Sequence, residues 1–301
     1  MPRICVAFSG GLDSTVLLHQ LAQARELLPF SLSAIHVNHG LSSNAPAWAR
    51  HCRQVCAGLD VPLRVRRVEV NRAPRTSLEE EARRARYAVF AAAKADVIGM
   101  AHHADDQAET VLLQLLRGAG PKGLAGMSPL KPMSTNGLGH ISLWRPLLEC
   151  TRAELAGYAH QHKLTAMDDE SNADERFRRN YLRHRVMPLL TAGFPAVTAT
   201  LARAARHQAE ASGLLDALAD ADLTLAEMDA GLHAETLKQL GGARCKNALR
   251  RWLDRAGLRQ PSEARLNALI KALRDSSNDT RLTWVHERRT VRREKDLLTL
   301  G

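Results

Sequence analysis

Residues 4–21 read ICVAFSGGLDSTVLLHQL, and the reading of this stretch decides the fold. Ile4–Phe8 is a short apolar run, as a strand buried on both faces should be, and from Thr15 the apolar residues recur at helical spacing. Between them Ser9, Gly10, Gly11, Leu12, Asp13 and Ser14 make a strand-to-helix turn. Free backbone N–H groups and the positive end of the helix dipole make such a turn an anion site. Gly10 and Gly11 allow a phosphate close to the backbone. A Walker A loop has GxxxxGK followed by Ser or Thr, and this turn has neither that spacing nor the lysine. Asp13 would repel a phosphate directly, so beside a bound nucleotide it orients a Mg2+ ion or backbone groups, while Ser9 and Ser14 offer hydroxyl donors. The plain alternative is a tight turn in which Asp13 caps the helix.

Outward from this turn the pattern repeats. LSAIHVNH reads as a strand, NAPAWARHCRQVCAGL as a helix, PLRVRRVEV as a strand, SLEEEARRARYAVFAAAKA as a helix, ADVIGMAHH as a strand and DDQAETVLLQLLRGAG as a helix. Strands alternating with helices over about 120 residues predict a parallel sheet covered on both faces, with its site at the strands' carboxyl ends. Ser77 with Glu80, and Thr151 with Glu154, form capping boxes. Gly118–Gly139, rich in Gly, Pro, Ser and Asn, reads as a long loop of the kind that forms lids. ISLWRPLL restores a strand, and from Phe194 an Ala- and Leu-rich helical pattern begins a second domain. Its last stretch, TRLTWVHERRTVRREKDLLTL, alternates β-branched with charged residues as a small hairpin would.

The 301 residues suffice for two domains by the usual prior of roughly 100 to 200 residues each. Hydrophobic residues at 45% and charged residues at 25% exclude a largely disordered or membrane-embedded chain. The formal net charge of +10 points to a polyanionic partner or to a merely basic enzyme. Five scattered cysteines form no CxxC pair, which excludes a disulfide framework or zinc knuckle; Cys52 and Cys56 share a helix face. MPRICVAF is no signal peptide, and no run reaches the roughly 20 apolar residues that span a bilayer. A cytoplasmic location with no membrane partner is expected.

Two further stretches carry chemistry. AHHADDQAET, residues 101–110, puts His102 and His103 before a helix and Asp105, Asp106 and Glu109 in its opening turns. Asp105 and Glu109 share a helix face and Asp106 lies near Glu109. This is a divalent-metal or catalytic cluster, or simply a helix whose first turn complements its dipole. Residues 167–190, MDDESNADERFRRNYLRHRVMPLL, crowd Arg176, Arg178, Arg179, Arg183 and Arg185 near Asp168, Asp169 and Glu170. The arginines either fork onto phosphates or pair along a solvated helix.

SGGLDS after an apolar strand resembles the PP-loop of the N-type ATP pyrophosphatases, which cleave ATP between its α and β phosphates and adenylate a substrate. With IHVNHGL, EEARRARYAVF, AHHADDQAET, LLRGAGPKGLAGM, WRPLL and DDESNADERFRRNYLRHRVMPLL following in order, residues 4 to about 190 resemble the tRNA(Ile)-lysidine synthase family. The remainder resembles its helical domain more weakly. The resemblance implies an α/β fold: a parallel-sheet, Rossmann-like PP-loop ATPase domain of the adenine nucleotide α-hydrolase kind over residues 1–193. A smaller, mostly helical tRNA-binding domain over 194–301 follows. It implies ATP as substrate with Mg2+, at Ser9, Gly10, Gly11, Leu12, Asp13 and Ser14, with Asp13 as the metal contact. The reaction would adenylate carbon-2 of the wobble cytidine in an isoleucine tRNA with anticodon CAU, then attach L-lysine there with release of AMP. Lysine's ε-amine, with a pKa of about 10.4, must be held and deprotonated. His103, Asp106 and Glu109 are the expected lysine-binding or catalytic residues, and Arg84, Arg179 and Arg183 the phosphate, AMP or tRNA contacts. Arg250, Arg251, Arg288 and Arg289 are further expected phosphate contacts, and the oligomeric state, a homodimer included, is left open.

The sequence departs from the family at Ser42, where an arginine is usual. It is also expected to follow the short members, which stop before a further C-terminal domain. Three rival readings are a tRNA thiolase, for which the cysteines are poorly arranged, an amide-forming synthetase acting without RNA, and a non-catalytic RNA-binding module.

Overall fold

In the computed structural model, which describes residues 1–40, 44–69, 78–133, 140–168, 174–276 and 282–301, the alternation of the first 120 residues becomes a wound sheet. β1 (Arg3–Ala7) leads through the glycine turn into α1 (Leu12–Ala24), then β2 (Ser31–Asn38), α2 (Ala45–Gly58) and β3 (Leu63–Arg67). α3 (Leu78–Ala91) crosses back to β4 (Val97–Gly99), which leads into α4 (Ala104–Leu115) and the short α5 (Pro121–Leu124). β5 (Leu130–Met133), β6 (Ile141–Trp144) and α6 (Arg152–Gln161) follow. Among the described residues the sheet order is β3-β2-β1-β4-β6-β5, parallel except for β5 against β6. Strand order therefore reverses between β1 and β4, and a crevice opens at the carboxyl ends of strands on either side of such a reversal. The glycine turn leaves β1 there and the His/Asp stretch leaves β4.

Successive residues of a strand face opposite sides, and β1 shows why both faces are covered. Val6 packs with Val16, Leu17 and Leu18 of α1, Cys52 and Cys56 of α2, and Leu155 of α6. Cys5 packs on the other side with Ile35, Ile98, Leu143 and Phe90 of α3. A fully buried side chain of this size contributes about 1.5–3 kcal/mol, so α1 and α3 are clamped to opposite faces mainly by burial. Thr151 caps α6, accepting the Glu154 N–H at 3.2 Å while Glu154 reaches back to the Thr151 N–H at 2.7 Å, the expected capping box. Ser77 lies outside the described residues.

The expected long loop after Gly118 is more ordered than its composition implies. It holds α5 and then β5, an edge strand that tolerates Pro132 because an edge has one side free of ladder bonds. Residues 134–139 of that loop lie outside the described residues.

Beyond the sheet, α7 (Arg178–Tyr181), a π-helical turn (Leu182–Val186) and α8 (Met187–Gly193) run on without a break. Pro188 explains the wide turn: it has no N–H for the His184 carbonyl, and its ring would clash there in α geometry. Leu182 and Met187, five apart, are both buried.

The chain divides into two units, Met1–His207 and Gln208–Gly301, the division falling within α9 (Val197–Ala226). The second unit continues with β7 (Glu227–Met228), β8 (Gly231–His233), α10 (Ala234–Gln239), α11 (Gly242–Arg255) and α12 (Glu263–Asp275). β9 (Leu282–His286), β10 (Arg289–Glu294) and β11 (Leu297–Leu300) complete it. The small hairpin foreseen at the end of the sequence is β9–β10, extended by β11, β8 and β7 into an antiparallel sheet. Its core gathers Leu237, Leu249, Leu253, Leu266, Leu269, Val291 and Leu298. No described helix is long and apolar enough to cross a membrane.

Arg293 of β10 is buried in this unit. It donates to the Ser276 carbonyl at 2.8 Å, the Ser276 hydroxyl at 2.7 Å, the Lys295 carbonyl at 2.7 Å and Glu235 at 2.8 Å. Replacing it with methionine of similar length leaves buried acceptors without this donor. Arg293→Met is expected to lower stability by about 2–3 kcal/mol, read as a reduced urea midpoint at unchanged slope.

Candidate active site

At the end of β1, Gly10 takes φ +87°, and a Cβ added there would meet the Cys52 Sγ at 2.9 Å. Both facts require glycine. Ser14 donates to the Gly11 carbonyl at 3.0 Å and lies 3.0 Å from the Ser9 hydroxyl, which itself accepts the Gly11 N–H at 3.3 Å. The hydroxyls thus brace the turn from within. From outside, the Met167 N–H donates to the Gly10 carbonyl at 2.9 Å.

Asp13, in the first turn of α1, leans toward α4. One carboxylate oxygen lies 3.7 Å from His103 Nε2, and the other is buried without a hydrogen-bond partner. Burial foremost pushes its pKa up, with the Asp106 charge adding, while His103, Arg152 and Arg183 pull it down. Among the described residues no three His, Cys, Asp or Glu side chains gather as a metal cage. A lone unpartnered carboxylate oxygen beside a phosphate loop nevertheless suits Mg2+, which takes one or two carboxylates and completes its shell with phosphates and water.

His103 caps α4, its N–H donating to Asp106 at 3.2 Å. Its buried ring stands among three carboxylates: Asp13, Asp105 at 3.4 Å and Asp106 at 3.5 Å. Burial alone would lower its pKa, but the carboxylates together hold it above the ordinary histidine value. Asp105 also accepts the Arg152 N–H at 2.8 Å, which ties α6 to α4, and its pKa is lowered, by the His103 ring foremost. His102 is the opposite case: burial pushes it down to about 4.

Glu109, one turn further along α4, is 2% exposed. Arg179 Nε donates to it at 2.8 Å and Arg183 at 2.6 and 3.0 Å, the bidentate geometry a planar guanidinium favours. Arg183 also reaches the Asp106 carboxylate at 3.1 Å, and Arg179 reaches the Asp106 carbonyl at 2.9 Å and Thr110 at 3.1 Å. Burial would raise the Asp106 pKa, but the charges of His103, Arg179, His102 and Arg183 prevail and hold it low.

The structure therefore brings Asp13, His103, Asp106, Glu109, Arg179 and Arg183 together at the β1/β4 crevice. Arg84 is not among them: its side chain is 76% exposed on α3 and pairs with Glu81. Arg176 pairs with Asp174 and Arg185 with Glu175, both at the surface, while Asp169, Glu170, Ser171 and Ser42 lie outside the described residues. In the second unit Arg251 is held by Asp220 at 2.6 and 2.8 Å, whereas Arg250, Arg288 and Arg289 are exposed. Two features had no signal in the sequence reading. Asp105 finds its partner 47 residues away, and the buried Gln107 amide pairs both ways with the Met127 backbone, at 2.8 and 3.1 Å. Gly126, at φ +64°, allows that approach, and a glycine 19 residues after a helical glutamine is no local pattern.

The strand order, the switch-point crevice and a lysine-free glycine turn define a PP-loop nucleotide-binding domain. The sequence pattern of the PP-loop domain family matches residues 1–190, and that of the TilS substrate binding domain matches residues 232–299. A tRNA(Ile)-lysidine synthase of Pseudomonas fluorescens is 48% identical over 93% of this chain and 64% of its own length. One of Pseudomonas putida is 46% identical over 94% of this chain and 67% of its own. The chain belongs to the tRNA(Ile)-lysidine synthase family. It spans 64% and 67% of the length of these two curated relatives. Among solved structures, a U34-tRNA thiolase from Methanococcus maripaludis shares the fold, with a TM-score of 0.57 at 18% identity over 69% of this chain and 73% of its own.

Two outcomes follow from the cluster. Glu109→Ala leaves two half-buried guanidiniums without their carboxylate, and is expected to cost about 3 kcal/mol in chemical denaturation. His103, with its pKa raised on folding, stabilises the fold fully below its unfolded pKa and loses that contribution as pH rises through the folded value. The stability gap between wild type and His103→Gln should accordingly be wider near pH ~5.5 than near pH ~9.

Proposed function

We propose that this chain ligates L-lysine to carbon-2 of the wobble cytidine in an isoleucine tRNA with anticodon CAU, at the expense of ATP. The observation that carries the reading is the Asp106–Glu109–Arg179–Arg183 cluster, closed around the buried Glu109 beside the PP-loop, in a chain that matches the PP-loop domain pattern in its first unit and the TilS substrate binding domain pattern in its second. The carbon-2 oxygen of the base attacks the α phosphorus of ATP and pyrophosphate leaves. Lysine's ε-nitrogen then bonds to carbon-2 and the carbon–oxygen bond to AMP breaks. The amine gives up its protons to water, and the product base pairs with A instead of G.

The residues divide that work by their surroundings. Ser9–Ser14 hold the β and γ phosphates through backbone N–H groups at the start of α1. Mg2+ would be held by Asp13 and the nucleotide's phosphates, where it would neutralise charge on the departing pyrophosphate. Asp106, kept ionised by its cationic neighbours, attracts the lysine ammonium. Glu109 is too enclosed to serve as a base; it holds Arg179 and Arg183 at the crevice, where they face the α phosphate and AMP. Residues 1–193 carry this chemistry, and residues 194–301 bind tRNA through exposed cations such as Arg288 and Arg289. The thiolase alternative is disfavoured by Cys52 and Cys56, whose buried thiols are pushed up to about 12 and about 11 and so stay protonated.

The protein should be incubated with labelled L-lysine, ATP, Mg2+ and isoleucine tRNA bearing CAU, with methionine tRNA of the same anticodon alongside. Label is expected in the isoleucine tRNA alone, and Asp106→Ala should lower its incorporation about 100-fold or more. Pyrophosphate release without label would retain adenylation and reject lysine as nucleophile; neither signal would reject the reading.

A further inference from the structure

The proposed reaction leaves IHVNHGL, with the buried His36 on β2, and the inert Cys52 without a task. Both lie directly beneath the phosphate loop. His36 is 4% exposed, and its Nδ1 stands 2.9 Å from the Phe8 carbonyl and 3.4 Å from Cys52 Sγ. A carbonyl only accepts, so Nδ1 carries the ring's proton and donates it to Phe8. Burial foremost, and then Arg53, hold the His36 pKa below its ordinary value against the Phe8 bond that raises it, so the ring is neutral with one N–H.

Phe8 is the last residue before the glycine turn. Its own N–H still belongs to the sheet, donating to the Ile35 carbonyl at 2.9 Å. Its carbonyl has left the backbone ladder and is met by the His36 side chain instead. In a planar trans peptide the C=O of one residue and the N–H of the next point in opposite directions. With the Phe8 carbonyl drawn onto His36, the Ser9 N–H is turned away from the ring. Met167 fixes the Gly10–Gly11 peptide in the same way, its N–H donating to the Gly10 carbonyl at 2.9 Å. Cys52 sets the height between them, since its sulfur occupies the space a Cβ at Gly10 would need.

We propose that His36 is a positioning residue of the phosphate loop, its Nδ1–H aiming the Phe8–Ser9 peptide so that the Ser9 N–H faces a bound phosphate. This rests on the reading of the loop as the ATP site. It assigns His36 a role at one remove from the nucleotide, and it makes the donor rather than the ring the essential feature.

Asparagine and leucine separate donor from volume, because the asparagine side-chain N–H2 reaches close to the position of Nδ1. ATP affinity is measured calorimetrically, and kcat and KM for ATP and for tRNA in tRNA-dependent pyrophosphate release, on wild type, His36→Asn and His36→Leu. His36→Leu should weaken ATP binding about tenfold or more at unchanged KM for tRNA, and His36→Asn should restore it to within about threefold of wild type. A folded His36→Leu protein that binds ATP within about twofold of wild type overturns the proposal, as does His36→Asn as impaired as leucine. Nitrogen-15 ring spectra of the wild type decide the tautomer even if a variant does not fold: Nδ1–H is expected, and Nε2–H overturns the assignment. A wild type that binds ATP but releases no pyrophosphate defeats the reaction and leaves the binding comparison to judge His36; one that binds no ATP overturns both.

Discussion

A carboxylate with almost no access to water is tolerated only when its charge is met at close range, and Glu109 meets that condition through two guanidiniums. The arginines come from a segment some 70 residues later in the chain, so the bidentate Arg183 contact and the single Arg179 bond also fasten that segment across α4. Everything else in the crevice is referred to this fixed point. Asp106, three residues earlier on the same helix, is held ionised by the same arginines, and its other oxygen secures the α4 cap at His103. His103 in turn faces Asp13 at the start of α1, so the two helices that flank the strand reversal are linked through a chain of alternating charges.

The parts of this arrangement that sequence reveals are those with a local cause. A short apolar run, a glycine pair and a helical spacing gave β1, its turn and α1, and repetition of that pattern gave the parallel sheet and the edge on which the site lies. Thr151 and Glu154 were readable because a capping box is closed within four residues. Partner choice was not readable. Nothing in RFRRNYLRHR says that Arg179 and Arg183 turn inward to Glu109 while Arg176 and Arg185 find surface carboxylates. β5 was missed because its Pro132 argues against a strand, a signal overridden once the strand lies at a sheet edge. The terminal sheet was underestimated for a related reason: β7 and β8 are too short to carry an alternation and take their form from pairing with β11.

The formal charge of +10 also reads differently once the partners are known. Arg179, Arg183, Arg244, Arg251 and Arg293 all face carboxylates within their own unit. They stabilise the fold and orient side chains, and they add little to the field a polyanion would feel. The excess is carried by other cations exposed on both units, as at Arg64, Arg66 and Arg67 on β3 and at Arg288 and Arg289 where β9 turns into β10. Net charge therefore gives the size of the cationic excess and says nothing of its place.

The π-helical turn at Leu182–Val186 sets two different intervals against each other. Arg179 and Arg183 are four residues apart, the step that aligns side chains on an α-helix, while the buried Leu182 and Met187 are five apart, the step of the wider turn. Both sets face inward together only while the extra residue stays looped into that turn, where Pro188 keeps it. Were the turn to rewind as an ordinary α-helix, the residues beyond it would be rotated by about 100°, one residue's share of a 3.6-residue turn. The segment would then have to give up either its apolar anchor or its grip on Glu109. Proline thus acts as a latch on helical phase: it holds two incompatible periodicities in register, and the crevice keeps its arginines because the helix above it is prevented from regularising.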